Sequence, residues 1–282
     1  MQIFRTSCLL LLSTLTFAAG PIKVLIVDGQ NNHAWKDTTP VLKAMLEELK
    51  YTVDVATSPA KGGDMKTFKP NFSAYDVIVS NYNGEPWSDE TKAAFEKYMR
   101  EGGGLVSVHA ADNSFGEWKA YGEMTLVGGW GGQTGSKIRF RDGKPVLDEA
   151  TGHCGNHGAR LPYAVTIRDP RHPIANGLPT VWMHAGDELY DSLCGPAKNF
   201  DLIGTAHSEK SNRGTGEEEP MLITTTFGKG RIFHTTLGHD VAAMKCVGFI
   251  TTLQRGTEWA ATGKVTQKVP KDFPTADAVS IR

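Results

Sequence analysis

GGGLVSVHAAD, residues 102–112, decides the fold. Three glycines lead into Leu105, Val106, Ser107 and Val108, a short continuous apolar run of the kind that fills a parallel strand buried on both faces. The run stops at His109. In an open parallel sheet the residue just beyond a strand's carboxyl end faces the ligand crevice, so His109 is a candidate for chemistry and the run before it a candidate for the sheet's centre.

Working outward, the same pattern repeats. KVLIVD (23–28) is a first strand, YTVDVAT (51–57) a second and YDVIVSN (75–81) a third. Thr39 and Pro40 predict a helix start as N-cap and first-turn proline, and Leu42, Met45, Leu46 and Leu49 give that helix a sheet-facing stripe. Ser88 predicts the cap of a second helix, with Ala94, Phe95, Tyr98 and Met99 on its apolar face and Gly102 ending it. Strands alternating with amphipathic helices predict an α/β fold, a mainly parallel sheet with helices on both faces. Right-handed crossovers then bring the strand ends to one rim, where Asp28, the QNNHAW loop, Asn81, Asn83 and His109 gather.

Residues 113–160 are rich in glycine and read as an extended excursion. Trp118, Tyr121, Trp130 and Phe140 within it point to a pocket wall. Strands resume at YAVTIRD (163–169), DLIGTA (201–206), PMLITTTFG (220–228) and GRIFHTTLG (230–238), the last two forming a hairpin at GKG. A helix over 240–261 follows, then a polar tail from 263 to 282. More candidates stand after apolar runs: His184, Asp187, Glu188 and Tyr190 after VWM, and His239 with Asp240 after GRIFHTTL. Each also has a purely structural use, Asp240 as a helix cap and Asp187 in a turn. His33 and His207 stay open as site residues, and His172, before Pro173, shapes a turn. His153 and His157 are four apart in GHCGNHG, a metal spacing only on a helix, which the glycines oppose.

The composition is that of a globular chain of 282 residues, 40% hydrophobic and 22% charged, with a net charge of -1. It offers no basic patch for nucleic acid. There is no G-x-S-x-G turn, no phosphate-binding glycine loop and no G-x-G-x-x-G after the first strand, so a nucleotide cofactor is not expected. MQIFRTSCLLLLSTLTFAAG (1–20) has the charge, apolar core and small-residue end of a signal peptide. The expectation is a periplasmic or secreted protein without a membrane anchor, its domain spanning 21–262. Three cysteines then remain, allowing one bridge, with Cys154–Cys194 one possibility. The oligomeric state is not legible.

Imidazoles and carboxylates at strand ends can hold a divalent ion, or act as an acid–base pair without one. The assembled stretches KVLIVDGQNNHAW, EGGGLVSVHAAD, LVGG, HPIANGLP, DELY and GKGRIFHTTLGHD resemble the ThuA-like (trehalose-utilisation) family, in order and across nearly the whole mature chain. That resemblance implies a flavodoxin-like three-layer sandwich similar to class I glutamine amidotransferases. Those enzymes carry a nucleophilic cysteine after the strand where this chain has His109, so glutaminase chemistry is not expected. The resemblance also implies a small carbohydrate substrate, such as a 3-keto-glycoside cleaved by a lyase or hydrolase with zinc, manganese or nickel. The roles it suggests are His109, His239 and Glu188 as metal ligands, Asp187 or Glu188 in acid–base work, and Asp240 orienting His239. Trp35, Trp118, Trp130 and Tyr190 would pack on the sugar, with Asp28, Asn31, Asn32, His33 and Asn113 binding its hydroxyls. A non-catalytic carbohydrate-binding protein and a metal-dependent ester or amide hydrolase are the competing readings.

Overall fold

A computed structural model describes residues 20–149 and 152–282. Residues 1–19 of the expected signal peptide lie outside the described residues. β1 (Lys23–Asp28) leads through α1 (Trp35–Glu47) to β2 (Thr52–Thr57), and β3 (Val77–Ser80) through α2 (Asp89–Glu101) to β4 (Gly104–Val108). Next come α3 (Lys119–Thr125), β5 (Ser136–Arg141), β6 (Lys144–Glu149) and the two-residue β7 (Asn156–His157). The chain continues with β8 (Leu161–Ile167), β9 (Val181–Asp187), β10 (Tyr190–Asp191), β11 (Phe200–His207), β12 (Glu218–Phe227) and β13 (Gly230–Thr235), then α4 (Val241–Met244) and α5 (Val247–Thr262).

Among the described residues nine strands form one sheet, ordered β2-β1-β3-β4-β13-β12-β11-β8-β9. The first five pair in parallel and the last four join antiparallel. Antiparallel pairing reverses direction at each step, so β11 and β9 point the same way as β1, and seven of the nine strands share one direction. The carboxyl ends of β1, β4, β9 and β13 therefore meet one rim, although β9 enters from the antiparallel half.

Side-chain alternation makes the three layers. Val24, Ile26, Val77, Val79, Val106 and Val108 pack with Leu42, Leu46, Phe249 and Leu253 of α1 and α5. Leu25, Val27, Ile78, Leu105 and Ile232 pack on the other face with Phe95, Tyr98 and Met99 of α2. α5 lies close to the sheet because it carries glycines there. A Cβ on Gly248 would fall 2.2 Å from the Trp182 ring, and one on Gly256 2.0 Å from Phe233.

Several local expectations are corrected. α1 begins at Trp35, so Pro40 lies inside it. Thr39 is no cap, because the hydroxyls of Thr38 and Thr39 both accept from the Asn81 amide at 3.0 Å. Ser88 does cap α2 and Gly102, at φ 117°, ends it, but Thr91 rather than Ala94 joins its buried face. Residues 113–160 hold a helix and a hairpin instead of an irregular excursion. The single helix over 240–261 is two, broken at Cys246, where Val247 N–H donates to the Ser280 carbonyl and Cys246 bridges Ile281. The segment from 263 to 282 thus packs on the body, with Phe273 in the main core. Among the described residues no helix is long and apolar enough to cross a membrane.

Candidate functional site

Four strand ends supply the centre of the rim. His33 comes from the loop after β1, His109 from the turn after β4, Glu188 from the residue after β9 and His239 from the loop after β13. Glu188 is their common neighbour. Its Oε2 lies 3.6 Å from His33 Nε2 and 3.7 Å from His109 Nε2, and its Oε1 3.3 Å from His239 Nε2. The imidazole of His157, on β7, closes the ring, with Nδ1 3.7 Å from Oε1.

His109 turns the chain sharply out of β4. It has φ 47°, in the left-handed region, which costs a residue with a Cβ about 1–2 kcal/mol. Its Nδ1 stands 2.7 Å from the Thr236 carbonyl. A carbonyl only accepts, so Nδ1 carries a proton, and in the neutral ring Nε2 presents a lone pair. That Nε2 is buried and has no hydrogen-bond partner among the described residues. His33 is held the same way, with Nδ1 3.1 Å from Asn31 Oδ1. His239 Nδ1 faces Asp240 Oδ2 at 3.3 Å, while Arg160 Nη1 donates to that oxygen at 2.7 Å. His33 and His109 thus have an oxygen acceptor at Nδ1, whereas His239 Nδ1 also meets a donor, Arg160 Nη1 at 3.4 Å, and all three rings turn Nε2 toward Glu188. Histidines that bind metal are oriented by this kind of outer hydrogen bond.

Charge favours the same assembly. Burial pushes the Glu188 carboxyl up, but the imidazoles of His109, His239 and His33 outweigh it and hold it well below the usual carboxylate range. Burial and the neighbouring imidazoles push His33 down, against the pull of Glu188. Burial also opposes protonation of His239, but Glu188 dominates and raises it. The ligand atoms of His33, His109 and Glu188 lie within 4.8 Å of one another, and His239 reaches the other oxygen of the same carboxylate. One carboxylate and several imidazole nitrogens make a donor set suited to zinc, manganese or nickel.

Beneath the rim, Asp187 holds two of these residues in place. It accepts from the backbone N–H of Glu188 at 2.8 Å, of Gly238 at 2.7 Å and of His239 at 3.1 Å. His184, inside β9 and wholly buried, faces it from below, Nε2 to Oδ2 at 2.8 Å. Asp187 therefore links the end of β9 to the loop after β13.

Residues 23–260 match the family model of ThuA, described as trehalose utilisation. The chain belongs to the ThuA family. A ThuA-like protein of Parabacteroides merdae ATCC 43184 is 47% identical, covering 93% of this chain and 98% of that one, with a TM-score of 0.91. Another, of Bacteroides uniformis ATCC 8492, is 18% identical, covering 90% and 97%, and its TM-score of 0.63 is a likeness of fold. A comparison with curated proteins finds no match. Family membership gives this ThuA protein a carbohydrate-related role, on an amidotransferase-like sandwich with a histidine at the turn after β4.

The other sequence candidates divide in two around the ThuA rim. Tyr190 lies beside the cluster, its ring centroid 4.1 Å from that of His109, and Trp130, 43% exposed, packs on Tyr190 at 4.8 Å. Asp240 caps α4 and faces His239. Asn31 positions His33, Asn32 accepts from the Asn83 amide at 2.6 Å, and Asn113 accepts from Gly129 N–H at 3.0 Å. Trp35 lines a neighbouring groove of about 600 Å³ with Asn31, Asn32 and Lys36. Two more candidates sit deeper in the fold. Asp28 is buried at the end of β1, where burial raises its carboxyl against hydrogen bonds from Thr57 and Thr39. Trp118 is buried beside Trp87, Phe95 and Phe115, and its only donor goes to Glu96 Oε1 at 2.8 Å.

His207 stands apart, beside Glu218, and His172 Nδ1 accepts from Ile174 N–H in its turn. Sequence reasoning set His157 aside and missed Arg160 altogether. A disulfide joins Cys154 to Cys194, with Cα atoms 5.5 Å apart, and Cys246 is free and buried. The signal was the spacing about that bridge: His157 comes three residues after Cys154, and Tyr190 four before Cys194. Also unforeseen is a buried pair below the site, His234 Nε2 to Asp112 Oδ2 at 3.0 Å.

Proposed function

We propose that the chain is an exported carbohydrate-active enzyme, a metal-assisted lyase or hydrolase acting on 3-keto-glycosides or disaccharides. The observation that carries this reading is the convergence of three imidazole Nε2 atoms on Glu188, one of them, at His109, buried without a partner. His33, His109, His239 and Glu188 would hold the ion. A bound divalent ion supplies an electrophile for a carbonyl or enolate oxygen.

The family's link to trehalose utilisation supports a sugar as substrate. In a glycoside oxidised at C3, the C2 proton is acidic and the C1 oxygen can leave by elimination, so the site must remove one proton and return another. His157 stands outside the proposed ligand set, and its Nδ1, 2.9 Å from the Gly158 carbonyl, leaves Nε2 for that work. Trp130 and Tyr190 give the sugar an apolar wall. The Cys154–Cys194 bridge suits an oxidising compartment and so supports export.

The test is release of methanol from methyl 3-keto-glucopyranoside by protein stripped of metal and then loaded with zinc, manganese or nickel. Metal-dependent turnover that disappears in His109→Ala is expected. Binding of the glycoside without turnover under any metal would favour a carbohydrate-binding protein instead.

A further inference from the structure

We propose that the Cys154–Cys194 bridge positions the sugar-facing wall of this site, so that carbohydrate binding depends on the oxidised bridge while metal binding does not. The proposal rests on the reading above and adds its redox control.

The site is assembled from two kinds of support. The four residues assigned to the ion follow sheet strands, His109 and Glu188 directly and His33 and His239 in the next loops, and β1, β4 and β13 lie in the parallel half of the sheet. Trp130 and His157 do not come from the sheet. They belong to the stretch between β4 and β8, and they meet Tyr190 where the bridge fastens that stretch to the segment after β10. Contacts beside the bridge are short and local. Trp130 N–H donates to the Cys154 carbonyl at 3.1 Å and Gly155 N–H to the Ser192 carbonyl at 3.0 Å. Gly128 and Cys194 exchange a pair of backbone hydrogen bonds. β7 and β10 pair over only two residues, His157 with Tyr190 and Asn156 with Asp191. A ladder of that length is not stable by itself.

Packing leaves no slack at this join. A Cβ on Gly155, at φ +92°, would come 2.8 Å from the Trp130 ring, and one on Gly129 would come 2.7 Å from the Gly155 Cα. Asn156 and Arg213 hold the far end, through Asn156 Nδ2 to the Arg213 carbonyl at 3.0 Å and Arg213 Nη2 to the His157 carbonyl at 3.1 Å. The end that carries Trp130 has the bridge. The bridge closes a separation of 40 residues, the kind of long loop whose freedom a cross-link removes. Dithiothreitol would pass two electrons and two protons to the sulfur–sulfur bond, giving two thiols and its own cyclic disulfide.

The experiment compares the bridged protein with Cys154→Ala/Cys194→Ala. It measures zinc affinity by chelator competition, affinity of the zinc-loaded protein for methyl 3-keto-glucopyranoside, and hydrogen exchange of residues 127–131 and 153–158. Zinc affinity should stay within about twofold, while glycoside affinity falls about tenfold and exchange quickens in those two segments but not in β1, β4 or β13. If the double variant does not fold, dithiothreitol reduction of the folded protein takes its place, and reoxidation should restore affinity. Glycoside affinity unchanged without the bridge, or zinc affinity lost in parallel, would overturn the proposal. Should the bridged protein bind neither zinc nor glycoside, the proposed function fails by itself, and unchanged exchange in the two segments would then overturn the positioning role.

Discussion

His109 combines a left-handed backbone, deep burial and an unpartnered ring nitrogen, and each of these has a cost when no ligand engages it. The Thr236 carbonyl fixes which nitrogen is bare. Asp187 does the comparable work for Glu188 and His239, using backbone N–H groups instead of side chains. Asp187→Asn should therefore lower zinc affinity about 10–100-fold by loosening two ligands, as loss of an outer partner does, and chelator competition reads this. Chemical denaturation should show a loss of about 3–5 kcal/mol as well, since His184 is left without its buried counter-charge. The pair also makes stability depend on pH. Burial opposes the charge on His184, but Asp187 and Cys246 outweigh it and carry its pKa up to about 9, from 6.5. A basic group raised by folding stabilises fully below its unfolded value and loses that contribution as pH climbs through the folded one. The stability difference between the parent and His184→Gln should thus be largest below pH 6.5 and shrink as pH rises through 9.

At the level of elements, legibility followed locality. β1, β3, β4, α2 and the β12–β13 hairpin could be read because short-range signals, an apolar run, a capping serine or a GKG turn, agree with what the sheet requires. α1 was misplaced at its start because Asn81, distant in sequence, takes the hydroxyls of Thr38 and Thr39. The break at Cys246 was hidden for the same reason, since Ser280 and Ile281 cause it. His157 eluded the pattern because a disulfide and a two-residue ladder place it, not a strand end. α5 offers a test in which two effects oppose each other. Gly256→Ala should gain about 1 kcal/mol from helix propensity, but a methyl 2.0 Å from the Phe233 ring forces the helix off the sheet. Overpacking of that kind costs about 1–3 kcal/mol, so the net change should be destabilising in thermal unfolding.

On the scale of the whole molecule, strand direction explains why so much of the site could be read. Seven strands pointing one way bring their carboxyl ends to a single rim, the place where a histidine or carboxylate just past an apolar run can join a site. His109, Glu188 and His239 obey that rule. His33 was visible as a loop residue, but its place in the ligand set depends on how Asn31 folds the loop back. The ThuA assignment accounts for the scaffold and the carbohydrate connection, while the ring about Glu188 carries the claim about chemistry. That claim is tested most directly by the metal content of the purified chain, beside His33→Ala, His109→Ala and Trp118→Ala. The account predicts near one divalent ion per chain, retained in Trp118→Ala and lost in both histidine variants. A protein that takes up no zinc, manganese or nickel on dialysis, or that keeps its ion without His33 and His109, would contradict it.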